Sequence, residues 1–300
     1  MKNRIGFILL FAIGTILLVG CAKKEEQASN KLKVSVSFNA LYEFAQAVGQ
    51  DKVEVSTIIP NGVEPHDFEP KAADLTKLSK ADVFVYNGLG MESWATQAME
   101  AIGDNHLTVV EASNGAQPII NTDTKEVEEH GQYDPHLWIS LSGAKIEVAQ
   151  IADGFSKADP DNEAFYQKNA KEYIGQLEAL YQEYQEKFAS VLKKNMITGH
   201  AAFHYFCQDF GLSQNSVEDV FAEGEPSTKQ LAELVEYCKE NQVTTIFAEE
   251  MASPEISQTL ADEVGAEVVT IYTMESEEDN LSYLERMQSN LEKVYQSLSK

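Results

Sequence analysis

The sequence predicts an α/β protein built from two βα lobes with parallel sheets, which one long rigid helix joins. Short apolar segments alternate with helical segments from residue 32 to residue 110, and the alternation resumes after residue 191. Strands that alternate with helices are typical of parallel sheets covered on both faces. Between these regions, residues 160–191 keep a helical apolar spacing, and such a helix would reach roughly 45 Å. Because one small lobe does not need that length, we interpret the helix as the link between two lobes.

The N-terminal segment has the pattern of a secretory signal. Two basic residues precede the nearly all-apolar run Ile5–Gly20, and Cys21 follows it. A membrane-spanning helix needs about 20 apolar residues, so this run is short for a stable span and typical of a cleaved signal. Leu18 and Gly20 stand where a bacterial lipobox needs them, and this similarity implies lipid modification of Cys21 after cleavage. The alternative is an ordinary signal peptide with an incidental cysteine.

The first lobe is predicted to hold four strands with helices between them. Its strand segments are apolar and are bounded by turn residues, whereas its helical segments repeat apolar residues at spacings of three and four. The predicted strands are Leu32–Phe38, Val53–Ile59, Asp82–Tyr86 and Leu107–Val110. The predicted helices are Asn39–Val48, Ala72–Leu78 and Glu92–Ile102.

The linking helix and the second lobe follow. The helix is predicted over Pro160–Val191, on the strength of a stripe of aromatic and aliphatic residues. The strands predicted after it are Met196–Thr198, Ser213–Val217, Val243–Ala248 and Glu267–Tyr272, and a last helix is predicted over Asn280–Leu298. The expected organisation is a signal peptide (1–20), a lipidated tether (21–31), an N-terminal lobe (32–159), the linking helix (160–191) and a C-terminal lobe (192–300).

The net charge and the cysteine content limit the possible classes of function. The chain carries a formal net charge of −25, which repels nucleic acid and attracts cations, although the acidic residues are spread along the whole chain. Besides Cys21, the chain has only Cys207 and Cys238. Outside the cytoplasm these two residues could form a disulfide, or they could be two buried thiols. No CxxC pattern or clustered Cys/His zinc-finger spacing is present.

Three of the six histidines follow predicted strands. His66 comes just after the second strand, His136 lies in the loop region after the fourth, and His200 directly follows the first strand of the second lobe. In open α/β sheets, ligands bind in the crevice beyond the carboxyl ends of the strands, so all three lie where a site is expected. We interpret His106 as an ordinary surface or core residue and His130 as part of a solvated acidic loop.

Five short motifs surround these positions. They are Gly62–Pro70 (GVEPHDFEP), Asp134–Trp138 (DPHLW), Thr198–Phe203 (TGHAAF), Gly224–Ser227 (GEPS) and Ile246–Glu249 (IFAE). In this order, and over essentially all of residues 32–300, the chain resembles the metal-specific, zinc- and manganese-type solute-binding lipoproteins of ABC transporters. The resemblance implies two lobes on a rigid helix, with one ion bound between them.

The resemblance also implies a ligand set. The family has metal ligands at the positions of His66, His136 and His200, and a fourth, acidic ligand in the loop after the last strand. Glu275 matches that fourth position best, with Glu277 as the alternative. Asp67, Asp134 and Glu249 are candidates for orienting the ligand imidazoles from behind.

His204 departs from the family pattern, in which we expect a small residue. It follows His200 by four residues, so both could lie on one helix face, and His204 could approach the site or only pack nearby. The pair is similar to the HExxH metalloprotease motif, but Ala201 stands where that motif needs glutamate.

The expected ligand set favours Zn²⁺. Three imidazoles and one carboxylate satisfy tetrahedral zinc, whereas manganese-binding members of the family have an acid at the position of His200. Mn²⁺ is the alternative cargo within the same family. A secreted zinc hydrolase and a surface adhesin are the alternatives from other classes. Four protein ligands speak against catalysis, because a catalytic zinc keeps one position open.

The expected partners follow from the same resemblance. We expect an extracytoplasmic protein, held at the bacterial cell membrane by a lipid on Cys21, that delivers its ion to an ABC permease for import. We expect a monomer that is not an enzyme and binds no nucleic acid.

Overall fold

A computed structural model describes residues 31–103, 106–121, 127, 131–220, 227–249 and 254–300. The predicted signal peptide (1–20), the lipidation site Cys21 and the accessory residue His130 lie outside the described residues. Among the described helices, none combines the length and the apolar character needed to cross a membrane.

The first lobe contains a four-stranded parallel sheet in the order β2-β1-β3-β4. Its strands are β1 (Leu32–Val36), β2 (Val53–Thr57), β3 (Val83–Tyr86) and β4 (Thr108–Glu111). The central strands β1 and β3 are buried along almost their whole length, as continuously apolar parallel strands require. The helices of this lobe are α1 (Asn39–Gly49), α2 (Ala72–Leu78), α3 (Ala95–Ile102) and α4 (Leu141–Ala158).

The second lobe repeats the same topology. Its strands are β5 (Asn195–Thr198), β6 (Ser213–Ser216), β7 (Thr245–Glu249) and β8 (Glu267–Ile271), all parallel, in the order β6-β5-β7-β8. The long helix α5 (Glu163–Ala189) precedes them. The helices that follow are α6 (His204–Phe210), α7 (Thr228–Glu240), α8 (Pro254–Val264) and α9 (Tyr283–Leu298). In each lobe the chain reverses its winding direction between the two central strands, which is where open α/β sheets form their crevice.

Helix α5 is the element that joins the lobes. Its 27 residues give a length of about 40 Å, and it packs against α1 and α4 of the first lobe and α6 and α9 of the second. Tyr166, Leu177, Tyr184 and Phe188 form its buried stripe. The predicted fold class, two parallel-sheet lobes on one long helix, is confirmed. The helix is shorter than predicted because Pro160–Asn162 forms a 3₁₀ turn before it.

Helix α4 has no counterpart among the predicted helices. Its interior contains Gly143 and Gly154, and glycine lowers helix propensity by about 1 kcal/mol relative to alanine. Both positions need glycine for packing, because a Cβ would meet Leu137 at the first and Val110 at the second. Ser140 caps the helix through its side chain, which accepts a hydrogen bond from the Gly143 amide at 2.9 Å.

The two described cysteines are not joined. Cys207 and Cys238 are both free and buried, and they belong to separate apolar clusters. Cys207 lies 3.9 Å from the sulfur of Met196. Burial raises the pKa of Cys238 to about 11, so the thiol form is favoured at neutral pH. The structure therefore supports the hypothesis of two buried thiols.

Candidate metal centre

His136 directly precedes the 3₁₀ turn Leu137–Ile139, and its side chain and that of Asp134 are fully buried. Asp134 Oδ1 accepts hydrogen bonds from the His136 backbone amide and from His136 Nδ1, both at 2.9 Å. Asn87, just after β3, donates from Nδ2 to the carbonyl of Pro135 at 2.9 Å. The following 3₁₀ turn places Trp138 so that its indole N–H donates to Thr273 O at 2.8 Å. The imidazole therefore has a fixed orientation, with Nε2 directed away from Asp134.

His66 reaches the site from the loop after β2. The loop turns at Gly62, which has a φ of +78°, a region that glycine enters without strain. His66 is 8% exposed, and its Nε2 lies 3.1 Å from Nε2 of His136. The half-buried Glu64 accepts a hydrogen bond from the His66 backbone amide at 3.4 Å, so a carboxylate lies beside the backbone of this residue.

His200 follows β5 by two residues and sits over the end of β7. Its backbone amide donates to Glu249 Oε1 at 3.2 Å, and its Nδ1 lies 3.6 Å from the same oxygen. Gly199 makes this approach possible, because a side chain there would overlap the Glu249 carboxylate. The Nε2 atom of His200 lies 3.4 Å from Nε2 of His136.

Glu275 completes the group from the loop after β8. It is 4% exposed, and Thr273 Oγ1 donates to its Oε2 at 3.0 Å. Its other oxygen, Oε1, is buried and receives no hydrogen bond from any described group. A buried carboxylate oxygen without a donor is costly unless a proton or a cation satisfies it.

The four side chains converge on one point between the lobes. The candidate ligand atoms of His66, His136, His200 and Glu275 all lie within 4.8 Å of one another. Two histidines come from the first lobe, and one histidine and the glutamate come from the second. Three nitrogens and one oxygen at this spacing match the donor set of a closed, four-coordinate zinc site.

The buried acids set the protonation states in this cluster. Burial disfavours the charged form of Asp134, but hydrogen bonds from His136 and His204 outweigh it and hold the pKa of Asp134 below its ordinary value. Burial lowers the pKa of His136. Burial also acts to lower the pKa of His200, but the Glu249 carboxylate outweighs it and raises that pKa to about 9. Burial and the neighbouring Glu64 raise the pKa of Glu275 to about 8.

Some of the remaining predicted site residues lie beside the cluster, and others lie outside it. Asp134 and Glu249 lie behind the rings of His136 and His200, whereas Asp67 is exposed to solvent. Glu277 faces Asn61 outside the cluster and hydrogen-bonds to its side chain. The hypothesis that His200 and His204 share a helix face is wrong, because α6 begins only at His204.

Two more residues lie near the site: His204, for which the sequence left open whether it approaches the site or only packs nearby, and Glu64, which the sequence-based prediction missed. His204 Nδ1 lies 2.9 Å from Asp134 Oδ2, so this side chain holds the second oxygen of the acid that orients His136. Glu64 lies inside the predicted GVEPHDFEP motif, and its carboxylate interacts electrostatically with His200. Its acidic character and its proximity to His66 in the sequence were the only available signals.

Comparison with known proteins identifies relatives over nearly the whole chain. The model of the family described as "Zinc-uptake complex component A periplasmic" matches residues 34–297. A protein of Treponema pallidum (strain Nichols) is 44% identical over 280 residues, which cover 91% of this chain and 89% of that protein. The "High-affinity zinc uptake system protein ZnuA" of Bacillus subtilis (strain 168) is 36% identical over 308 residues, with 97% and 94% of the two chains covered.

A solved structure gives the same result in three dimensions. The Zn(II)-bound structure of a variant of AdcAII from Streptococcus pneumoniae superposes with a TM-score of 0.83 and 33% identity, covering 90% of this chain and 99% of that chain. The resemblance drawn from the five motifs is thereby confirmed. Because the family model covers residues 34–297 and the relatives align over most of both chains, this chain belongs to the periplasmic zinc-uptake component A family of metal-specific ABC transporter solute-binding proteins.

Proposed function

We propose that this protein captures Zn²⁺ outside the cytoplasm and delivers it to an ABC permease for import. The observation that carries the proposal is the buried cluster of His66, His136, His200 and Glu275, whose ligand atoms lie within 4.8 Å of one another. The zinc-uptake function of the family and the names of its members support the same cargo. The four residues act as the ligands, with the two lobes contributing two each.

The donor set favours binding over catalysis and zinc over manganese. A catalytic zinc keeps one coordination position for water or substrate, whereas four protein ligands fill a tetrahedral shell. Imidazole nitrogens suit zinc, and manganese prefers more oxygen donors. The relatives are solute-binding proteins, which is consistent with transport rather than hydrolysis.

The residues behind the ligands fix their orientation. Asp134 accepts from Nδ1 of His136 and thereby directs Nε2 to the ion, and Glu249 has the corresponding position behind His200. Such carboxylate partners fix the tautomer and raise the basicity of a ligating imidazole. At neutral pH, zinc must displace protons that the raised pKa values of His200 and Glu275 retain.

The proposal includes a lipid anchor on Cys21 and a permease as the partner. The run Ile5–Gly20 before Cys21 has the signal-and-lipobox pattern, and the family belongs outside the cytoplasm. Cys21→Ser should abolish incorporation of labelled fatty acid and release the protein from the membrane. Equal labelling of the variant and the natural chain would contradict the anchor without affecting the metal site.

Titration calorimetry with the mature chain tests the metal site. One high-affinity zinc per chain is expected, with strong weakening in each of His66→Ala, His136→Ala and His200→Ala. His106→Ala is the matched control, because it removes an imidazole that the structure places outside the cluster, and its affinity should equal that of the natural chain. Unchanged zinc binding in His66→Ala would refute the site.

A further inference from the structure

The loop that carries Glu275 has an unusual backbone. It connects the end of β8 to the start of α9, and Met274, Asp279 and Asn280 have φ values of +61°, +53° and +53° within it. Left-handed backbone costs a non-glycine residue roughly 1–2 kcal/mol, with asparagine and aspartate tolerating it best. Met274 is the least suited of the three and directly precedes the ligand. Strained residues persist only where surrounding contacts hold them, so the loop needs support from outside itself.

That support comes from the first lobe. The backbone amide of Asn39, the first residue of α1, donates to the carbonyl of Glu275 at 3.2 Å. The side chain of Asn39 donates from Nδ2 to the carbonyl of Ser276 at 3.1 Å. Gly62, in the loop that carries His66, donates from its amide to Ser276 Oγ at 2.9 Å. Helix α1 and the loop that carries His66 therefore hold the chain by hydrogen bonds at Glu275 and at the residue after it.

A buried ion pair also holds this loop against the first lobe. Arg286 on α9 is fully buried, donates from Nη1 to the carbonyl of Ser276 at 2.6 Å, and pairs with Glu43 on α1. Glu43 also accepts hydrogen bonds from Asn39 Nδ2 at 3.0 Å and from the backbone amide of Tyr283 at 2.5 Å. Arg286 Nη1 also lies 3.5 Å from Glu278 Oε2 in the same loop. This one guanidinium therefore connects the loop that carries Glu275 to Glu43 on α1.

We propose that Asn39, Glu43 and Arg286 form an interlobe clamp that positions Glu275 for the bound ion. None of the three touches the ion in the proposed site, so they are positioning residues that act through Glu275. The clamp makes the fourth ligand depend on contact between the lobes, and loosening it weakens zinc binding and speeds zinc release. This inference rests on the proposed function, since it assigns a role to residues around the same site.

A double-mutant cycle on zinc affinity tests the clamp. Asn39→Ala removes the side-chain hydrogen bonds to Ser276 and Glu43. Arg286→Lys keeps a cation beside Glu43 but removes the guanidinium, whose second nitrogen donates to the Ser276 carbonyl. Each is measured in the natural chain and in Glu275→Gln. The matched control is Asn169→Ala, because Asn169 Nδ2 donates to the carbonyl of Val48 at 2.9 Å and so ties α5 to the opposite end of α1.

The expected result is a weakening of zinc binding that depends on Glu275. Asn39→Ala should raise the zinc Kd roughly tenfold in the natural chain, the lower end of what residues supporting a ligand contribute, but less than about twofold in Glu275→Gln. Arg286→Lys should show the same dependence on Glu275. Asn169→Ala should lower the thermal stability of the zinc-free protein without changing the Kd.

Two outcomes would show that the losses of affinity come from a general effect on folding and not from the clamp. One is an equal loss of affinity in both backgrounds, and the other is an equal loss in Asn169→Ala, since both indicate a general effect on folding. Arg286→Lys decides the question if Asn39→Ala does not fold. A different result would contradict the proposed function, namely that Glu275→Gln and His66→Ala bind zinc as tightly as the natural chain. If those two variants bind zinc weakly and Asn39→Ala binds it normally, only the clamp is contradicted.

Discussion

Asp134→Asn tests how much the carboxylate that holds His136 contributes to zinc affinity. Asp134 is fully buried, and its two oxygens together accept from the amide and Nδ1 of His136 and face Nδ1 of His204. Those hydrogen bonds outweigh burial and hold the pKa of Asp134 low, so the side chain is a carboxylate at neutral pH. Asparagine keeps the shape but removes the charge, and it turns an N–H₂ group towards one of the two imidazoles.

The expected cost follows from the hydrogen bonds that this substitution weakens or removes. Removing the partner of a ligating histidine lowers metal affinity about 10–100-fold, which corresponds to about 1.4–2.8 kcal/mol. We expect the upper half of this range, because one carboxylate serves two imidazoles and the backbone of His136. The assay is a competition titration against a fluorescent zinc chelator, with Asp67→Asn as the exposed control from the neighbouring ligand loop. A Kd within about twofold of the natural chain for Asp134→Asn, or an equal weakening for Asp67→Asn, would contradict the orienting role of Asp134.

Two further predictions concern protons and metal choice. Because Glu249 outweighs burial and raises the pKa of His200 to about 9, protonated His200 competes with zinc at pH 7, and apparent affinity should rise about tenfold per pH unit for each displaced proton. Glu249→Gln should flatten that rise between pH 7 and 8 in a pH series of titrations, and an unchanged slope would contradict the assignment. His200→Glu exchanges a nitrogen donor for an oxygen, so the zinc-to-manganese selectivity in a competition titration should fall. A constant ratio would show that His200 does not contact the metal.

The fold and the strand-end positions of three histidines could be predicted from local patterns, whereas the candidate ligand set came from the family resemblance. Parallel strands buried on both faces leave continuous apolar segments in the sequence, and the carboxyl ends of such strands face one crevice. His66, His136 and His200 each follow a predicted strand, so each is expected at the carboxyl end of its own sheet, and only the packing of the two lobes unites them. The structure then brings the Nε2 atoms of His66 and His200 to 3.1 Å and 3.4 Å from Nε2 of the central His136.

The choice of the fourth residue could not be decided from local sequence. Glu275 and Glu277 lie in one acidic stretch, and any acid there suits the N-terminus of the following helix. The positive φ of Met274 and the grip of Asn39 on the loop direct Glu275 inwards, and both depend on tertiary contacts. His204 likewise meets Asp134 only in the folded chain, across 70 residues of sequence.

The most direct test of zinc capture is the metal content of the mature protein purified without added metal, measured by native mass spectrometry. One Zn²⁺ per chain is expected, and that ion should be lost from a variant in which His66, His136 and His200 are all replaced by alanine. A stoichiometric amount of another metal, or zinc retained by the triple variant, would contradict the assignment of this centre as a zinc-capturing site.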